Sequence, residues 1–298
     1  MNLGELALVC YAYGAMTYDD SLAQFSRRVD GNADLRNEEH RLALLHWLNQ
    51  WQCRQFSLAY HDLASAGLLD WFTECGDYLP PKSKNLWEIP EGTVEEYSRL
   101  FDPLAKKLAC YREIGPGKKS KVSFGPTAAA KILFVLRPKV FVAWDESVRA
   151  ALHLDGSGVS YTRFLVRLRE ELLELEDQCR SFDLELTDLP QAIGRPLSTP
   201  AQLMDEYYWA TMAHGVVVPS RQQVASWLDW YTPTDVQPTL ILRALGGGAE
   251  AAPRPVLVPP PVEAVPAAEA EAAADPKPGP EAEPAADVEP AAEAGQAW

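Results

Sequence analysis

Ser123–Leu152 reads SFGPTAAAKILFVLRPKVFVAWDESVRAAL, and its punctuation decides the fold. Gly125 is read as an N-cap and Pro126 as the first helical residue, where a missing N–H costs nothing. Thr127 to Leu136 continues as a short, mostly apolar helix that must stop near Arg137, the residue before Pro138. Lys139 to Trp144 is a brief crossing, and Asp145 opens a second helix, DESVRAALHL. An Asp in that place caps backbone N–H groups. What lies opposite it decides whether it does more.

Outward from this stretch the apolar period stays helical. Residues 3–13 make an apolar helix, with a strand over Ala7–Tyr11 as the alternative, and TYDDSLAQFSRRV follows with Asp19 or Asp20 as cap. Residues 37–56 carry Leu42, Leu45, Trp47, Leu48 and Trp51 on one stripe. Residues 61–78 repeat that pattern and 82–90 form a loop. Residues 93–112 read as a helix broken or kinked at Pro103, and 114–122 as a glycine-rich basic loop. Further helices are expected over 162–182, over 199–212 with Thr199 as cap and Pro200 next, and over 220–231. A turn-rich link lies at 186–195. The expected fold is all-α: residues 1–245 form a two-lobed helical globule around a cleft. Residues 246–298, mostly Ala, Pro, Glu, Val and Gly, cannot bury enough apolar surface to offset ordering entropy and are expected to be a disordered tail.

Charge is unevenly placed. Residues 249–298 hold ten acids and two bases, so they carry −8 of the formal −15. Between Lys106 and Ala143 stand nine bases and one acid, Glu113, a local +8 that solubility does not explain. Five scattered cysteines, Cys10, Cys53, Cys75, Cys110 and Cys179, show no C-x-x-C spacing and fit reduced thiols. Five histidines show no metal-ligand spacing, so no metal site is expected. Without a basic leader or an apolar run of about 20 residues, the chain is expected to be cytoplasmic and off the membrane.

The central segment resembles the helix-hairpin-helix DNA glycosylase superfamily. In that family a G-x-G turn opens a helix, and the residue two past the last glycine faces the base pocket. About eighteen residues later a catalytic Asp caps the next helix. Here Gly125 leads to Thr127, and Asp145 follows Thr127 by 18 positions. AWDESVRAAL is similar to the Asp-containing piece of adenine glycosylases, which lack a Schiff-base Lys. Ser123 replaces the first glycine, and Thr127 stands where bifunctional members carry Lys. The resemblance covers about thirty residues. It implies a helix-hairpin-helix element and hydrolysis of an N-glycosidic bond in double-stranded DNA after a damaged or modified base is flipped out. It implies no cofactor beyond a monovalent ion held by hairpin carbonyls. The four-Cys iron–sulfur module of some members is absent, and with it the standard modules of the common repair branches. Attack on modified bases of phage DNA, an antiviral defence, therefore stands beside repair.

Each candidate residue carries two readings. Asp145 is either a cap in a salt bridge or the carboxylate that stabilises positive charge on the deoxyribose and orients water. Lys131, one turn after Thr127 on the same helix face, is either an amine nucleophile or an ion-pair partner of Asp145. Thr127 suggests water as the nucleophile. Lys118, Lys119 and Lys121, with Ser123 and Gly125 at a helix N-terminus and with Arg149, are read as phosphate contacts, against a plain solvated loop. Trp144, Tyr207 and Trp209 either sandwich a flipped base or fill the core. Asp205 and Glu206 either bond a base edge or face solvent. The leading expectation is a monomeric, monofunctional DNA glycosylase. A non-catalytic DNA-binding protein reusing the hairpin and a helical protein-interaction module are the alternatives.

Overall fold

A computed structural model describes residues 1–17, 21–51, 53 and 58–218. Helix α1, Leu3–Met16, starts on a reciprocal capping box between Asn2 and Glu5. It is followed by α2, Ser21–Arg28, and by α3, Glu38–Gln50, whose cap Asn37 accepts a bond from the Glu39 N–H. Next come α4, His61–Cys75, α5, Glu91–Glu95, and α6, Ser98–Lys106, which holds Pro103 inside. Strands β1, Leu108–Gly115, and β2, Lys118–Ser123, form an antiparallel pair. The chain continues through α7, Gly125–Leu136, α8, Glu146–Ala151, and α9, Gly158–Arg180. It ends with α10, Leu189–Ala192, and α11, Pro200–Tyr208, which runs into a π turn at Trp209–Ala213. The described chain is mainly α-helical, and no helix in it is long and apolar enough to cross a membrane.

The all-α expectation holds in its coarser form, mainly helical, and the two strands correct it locally. Helix extends to Lys106, with Pro103 inside α6. The expected helix over 107–112 and loop over 114–122 are instead a ribbon, because the chain turns extended at Lys107 and pairs Tyr111 with Lys121, Arg112 with Ser120 and Glu113 with Lys119. Pro116 and Gly117 occupy the tip, Gly117 at φ +70°, where a side chain would be strained. Lys, Arg and Glu have little strand preference of their own, so pairing with the other strand, in which Glu113 stands opposite Lys119, decides the conformation. Smaller differences are local. Helix α9 starts on the cap Ser157, whose side chain accepts from the Ser160 N–H, rather than at Thr162. The 186–195 link contains α10. The caps at Asp19 and Asp20, the helix at 220–231 and the tail lie outside the described residues.

Helix α7 is the core helix. Ala128 through Phe134 and Leu136 are all buried, so the helix is covered on every side, by α6 and α3 among others. The chain enters α7 at Gly125, whose φ of +73° places the turn at that residue, with the cap position falling one earlier on Phe124. The crossing is equally fixed. Val140, Phe141, Val142, Ala143 and Trp144 are buried. The Tyr161 hydroxyl donates to the Val142 carbonyl at 2.9 Å, the Thr199 hydroxyl to Pro138 at 2.7 Å, and the Leu86 N–H to Lys139 at 3.0 Å. These bonds satisfy the carbonyls of a segment that has no regular structure of its own. They set where Asp145 emerges.

Candidate active site

Helix α7 carries Lys131 among apolar neighbours, where an ammonium is costly unless paired. Its side chain is 7% exposed and meets the Asp145 carboxylate at 3.0 Å. It also donates to the Trp51 carbonyl at 3.0 Å and lies 5.2 Å from the centre of the Trp51 ring. Asp145 holds the N-cap position of α8, with extended backbone at φ −78° and ψ 160°, yet its side chain makes no cap bond. The carboxylate turns toward Lys131 and keeps 31% of its surface open. Within the structural reading of Asp145, the side-chain cap is absent and the salt bridge is present.

Asp205 on α11 lies within the field of this ion pair. Burial pushes its carboxyl well above the ordinary range, and the negative charge of Asp145 adds to the rise, while Lys131 opposes it. Its neighbour Glu206 faces elsewhere: its carboxylate takes Arg195 at 2.8 and 3.1 Å and the Ser198 hydroxyl at 2.8 Å. Adjacent residues on a helix point apart, so the Asp-Glu pair splits into one residue near the ion pair and one structural anchor. Cys53 also lies within the field of Lys131 and Asp145, its thiol pushed up mainly by burial. Sequence reading had no signal for Cys53 or for the Trp51 carbonyl, because backbone groups and lone thiols leave no motif.

Because the fold opposes ionisation of Asp205, that residue's contribution to stability should fall as pH rises above the carboxyl's ordinary value of 3.8. Asp205→Asn removes that cost. Its melting temperature should match the parent below pH 3.8 and exceed it increasingly toward neutrality. A gap that does not vary with pH between 4 and 8 in thermal melts would show that Asp205 ionises freely.

The other expected site residues separate into groups. Thr127 is half-buried in the first turn of α7, and its hydroxyl accepts from Arg149 at 3.1 Å. Arg149 is buried, also donates to the Trp144 carbonyl at 2.6 Å and lies 5.2 Å from the Trp144 ring centre. This corrects its reading as a phosphate contact: the guanidinium is spent joining α8 to α7. Trp144 is likewise corrected from base pocket to core. It is fully buried, stacked 6.1 Å from Phe164 and edge-on to Phe101 at 6.0 Å. Tyr207 is half-buried against Tyr208, and Trp209 packs edge-on to Tyr13 at 5.3 Å with His214 at 3.7 Å. The π turn that holds Trp209 packs against α8. Such turns often accompany functional sites. Lys118, Lys119, Lys121 and Ser123 are exposed on β2, and Gly125 follows at the head of α7.

Chemically, the arrangement sets a partly open carboxylate on a buried cation, beside a second carboxyl whose surroundings favour the proton-bearing form. Such a set can stabilise developing positive charge and supply a proton. No protein-family model, curated protein or solved structure matches this chain.

Proposed function

We propose that this protein is a DNA glycosylase that hydrolyses the N-glycosidic bond of a damaged or modified base flipped from duplex DNA, leaving an abasic site. The buried Lys131–Asp145 pair, open on its Asp145 side, carries the reading. A lysine buried in a core helix needs a charged partner, and here that partner keeps one side open to a substrate. In this reading α7, the crossing and α8 make up the hairpin element, and the helices divide into two lobes around a cleft that takes the duplex. Modified phage DNA is the proposed target class in an antiviral role.

In the reaction the C1′–N bond breaks and its electron pair leaves with the base. Asp205 donates a proton to the departing base, and the Asp145 carboxylate stabilises the positive deoxyribose. Water then adds at C1′ and its proton passes to the carboxylate. Lys131 is a positioning residue. All three of its interactions, with Asp145, with the Trp51 carbonyl and with the Trp51 ring, use it as a cation and donor. An amine nucleophile would have to give them up.

The test is incubation of the full chain with genomic DNAs of differing base modification, with abasic sites and released bases as readouts. Intact abasic sites, cleaved only after alkali or heat, are expected, and borohydride should trap no adduct. Lys131→Met should lower kcat by roughly 10–100-fold with little change in KM, as for a group that orients a catalytic carboxylate. A trapped adduct lost in Lys131→Met would make Lys131 the nucleophile. Absence of abasic sites on every DNA would sink the proposal.

A further inference from the structure

We propose that the β1–β2 ribbon is an arm that enters the major groove of duplex DNA and sets Ile114 against thymine C5-methyl groups on the groove floor. The proposal takes its partner, duplex DNA, from the glycosylase reading and adds a recognition element away from the Lys131–Asp145 pair.

The root of the ribbon is built into the body. Ala109 and Cys110 are buried, the Phe124 N–H donates to the Lys107 carbonyl at 3.0 Å, and Leu108 pairs with Ser123. On α4, a Cβ at Gly67 would come within 3.2 Å of the Leu108 carbonyl, so a side chain there would push the strand back by a few tenths of an ångström. The distal half differs. From Arg112 to Lys119 no residue is buried, and all but Gly115 are exposed. Two strands without a covered face are marginal by themselves, so this half is not there to support the core.

What it presents is specific. Arg112, Lys118, Lys119 and Lys121 against the single acid Glu113 give the ribbon a net +3 in a chain of net −15. Near the tip Glu113 pairs with Lys119 and Gly115 with Lys118, so Ile114 is the extra residue of a bulge. Bulges re-aim side chains, and Ile114 stands 65% exposed amid these cations. Its β-branch makes it stiff, so holding it in place costs little entropy. Single exposed apolar residues are ordinary; one re-aimed by a bulge at a cationic tip calls for a surface that is both anionic and apolar. The major groove offers phosphates at its rims and methyl groups on its floor, and it admits a two-stranded ribbon where the minor groove does not. From Arg112 to Gly115 the free part of β1 reaches about 13 Å, beyond the groove depth of about 8.5 Å. The arm can touch the floor while its root stays on the body.

The test uses the full chain and two 30-base-pair duplexes of one sequence, one with thymine and one with uracil at every thymine position. Binding is read by anisotropy, and the duplexes are checked afterwards for abasic sites. The parent should prefer the thymine duplex by roughly 3–5-fold, the value of about one buried methyl. Ile114→Ser should bind both duplexes alike, and Ile114→Val should keep the preference. Lys118→Glu, Lys119→Glu and Lys121→Glu combined should weaken binding to either duplex at least about 10-fold and flatten its salt dependence. Equal affinity of the parent for the two duplexes, a preference surviving in Ile114→Ser, or a triple variant that binds like the parent overturns the proposal. So does binding to phosphatidylserine vesicles without binding to DNA. Methyl preference without excision on any DNA overturns the glycosylase reading and leaves the arm standing; excision without methyl preference does the reverse.

Discussion

Asp145→Asn is expected to abolish base excision, by roughly 10²–10⁴-fold, while duplex binding changes by less than about 3-fold. The amide retains the shape of the side chain and can still accept the Lys131 hydrogen bond. What it loses is the negative charge, which the transition state needs and which also pairs the buried Lys131 ammonium, so the variant should melt lower than the parent while still binding duplex. Single-turnover excision and anisotropy on the same duplex check both halves. Full excision by Asp145→Asn would show that the carboxylate is only structural and that the alignment of this segment with a glycosylase hairpin is wrong.

Trp144→Ala should act on the whole fold. The ring touches Phe101, Tyr161 and Phe164 and is fully buried, so its removal should cost about 3–5 kcal/mol. For a domain of this size that lowers the melting temperature by roughly 6–20 °C. Trp144→Phe should cost far less, about 1.5 kcal/mol or under, because the indole N–H finds no acceptor among the described residues and its loss orphans nothing. Thermal melts and excision assays on both variants separate core from pocket. A Trp144→Ala protein that melts like the parent but cannot excise would return the residue to the base pocket.

The contrast between these two neighbours shows what the sequence could reveal. Pro126, Pro138 and the apolar run between them made helix, stop and crossing legible, since each rests on local backbone chemistry. The ribbon was not legible, because Lys118–Ser123 becomes a strand only through its partner on β1. Trp144 and Arg149 looked like site residues through their chemistry, an aromatic ring that could stack on a base and a cation that could meet a phosphate. Their burial depends on α9 and α7, elements distant in sequence. Asp205 was visible as an acid beside aromatics, but nothing local says that it and not Glu206 lies near Asp145.

The bond from Lys131 to the Trp51 carbonyl spans 80 positions. The lysine and the groups around it come from four separate stretches of chain, at Trp51, Lys131, Asp145 and Asp205. Contacts between such distant partners form slowly, since loop-closure entropy must be met before any of them forms. During synthesis, the ammonium enters its final surroundings only after α11 has left the ribosome. A nascent or clipped chain lacking that helix lacks Asp205, and in the proposed reaction it would have no proton donor for the departing base.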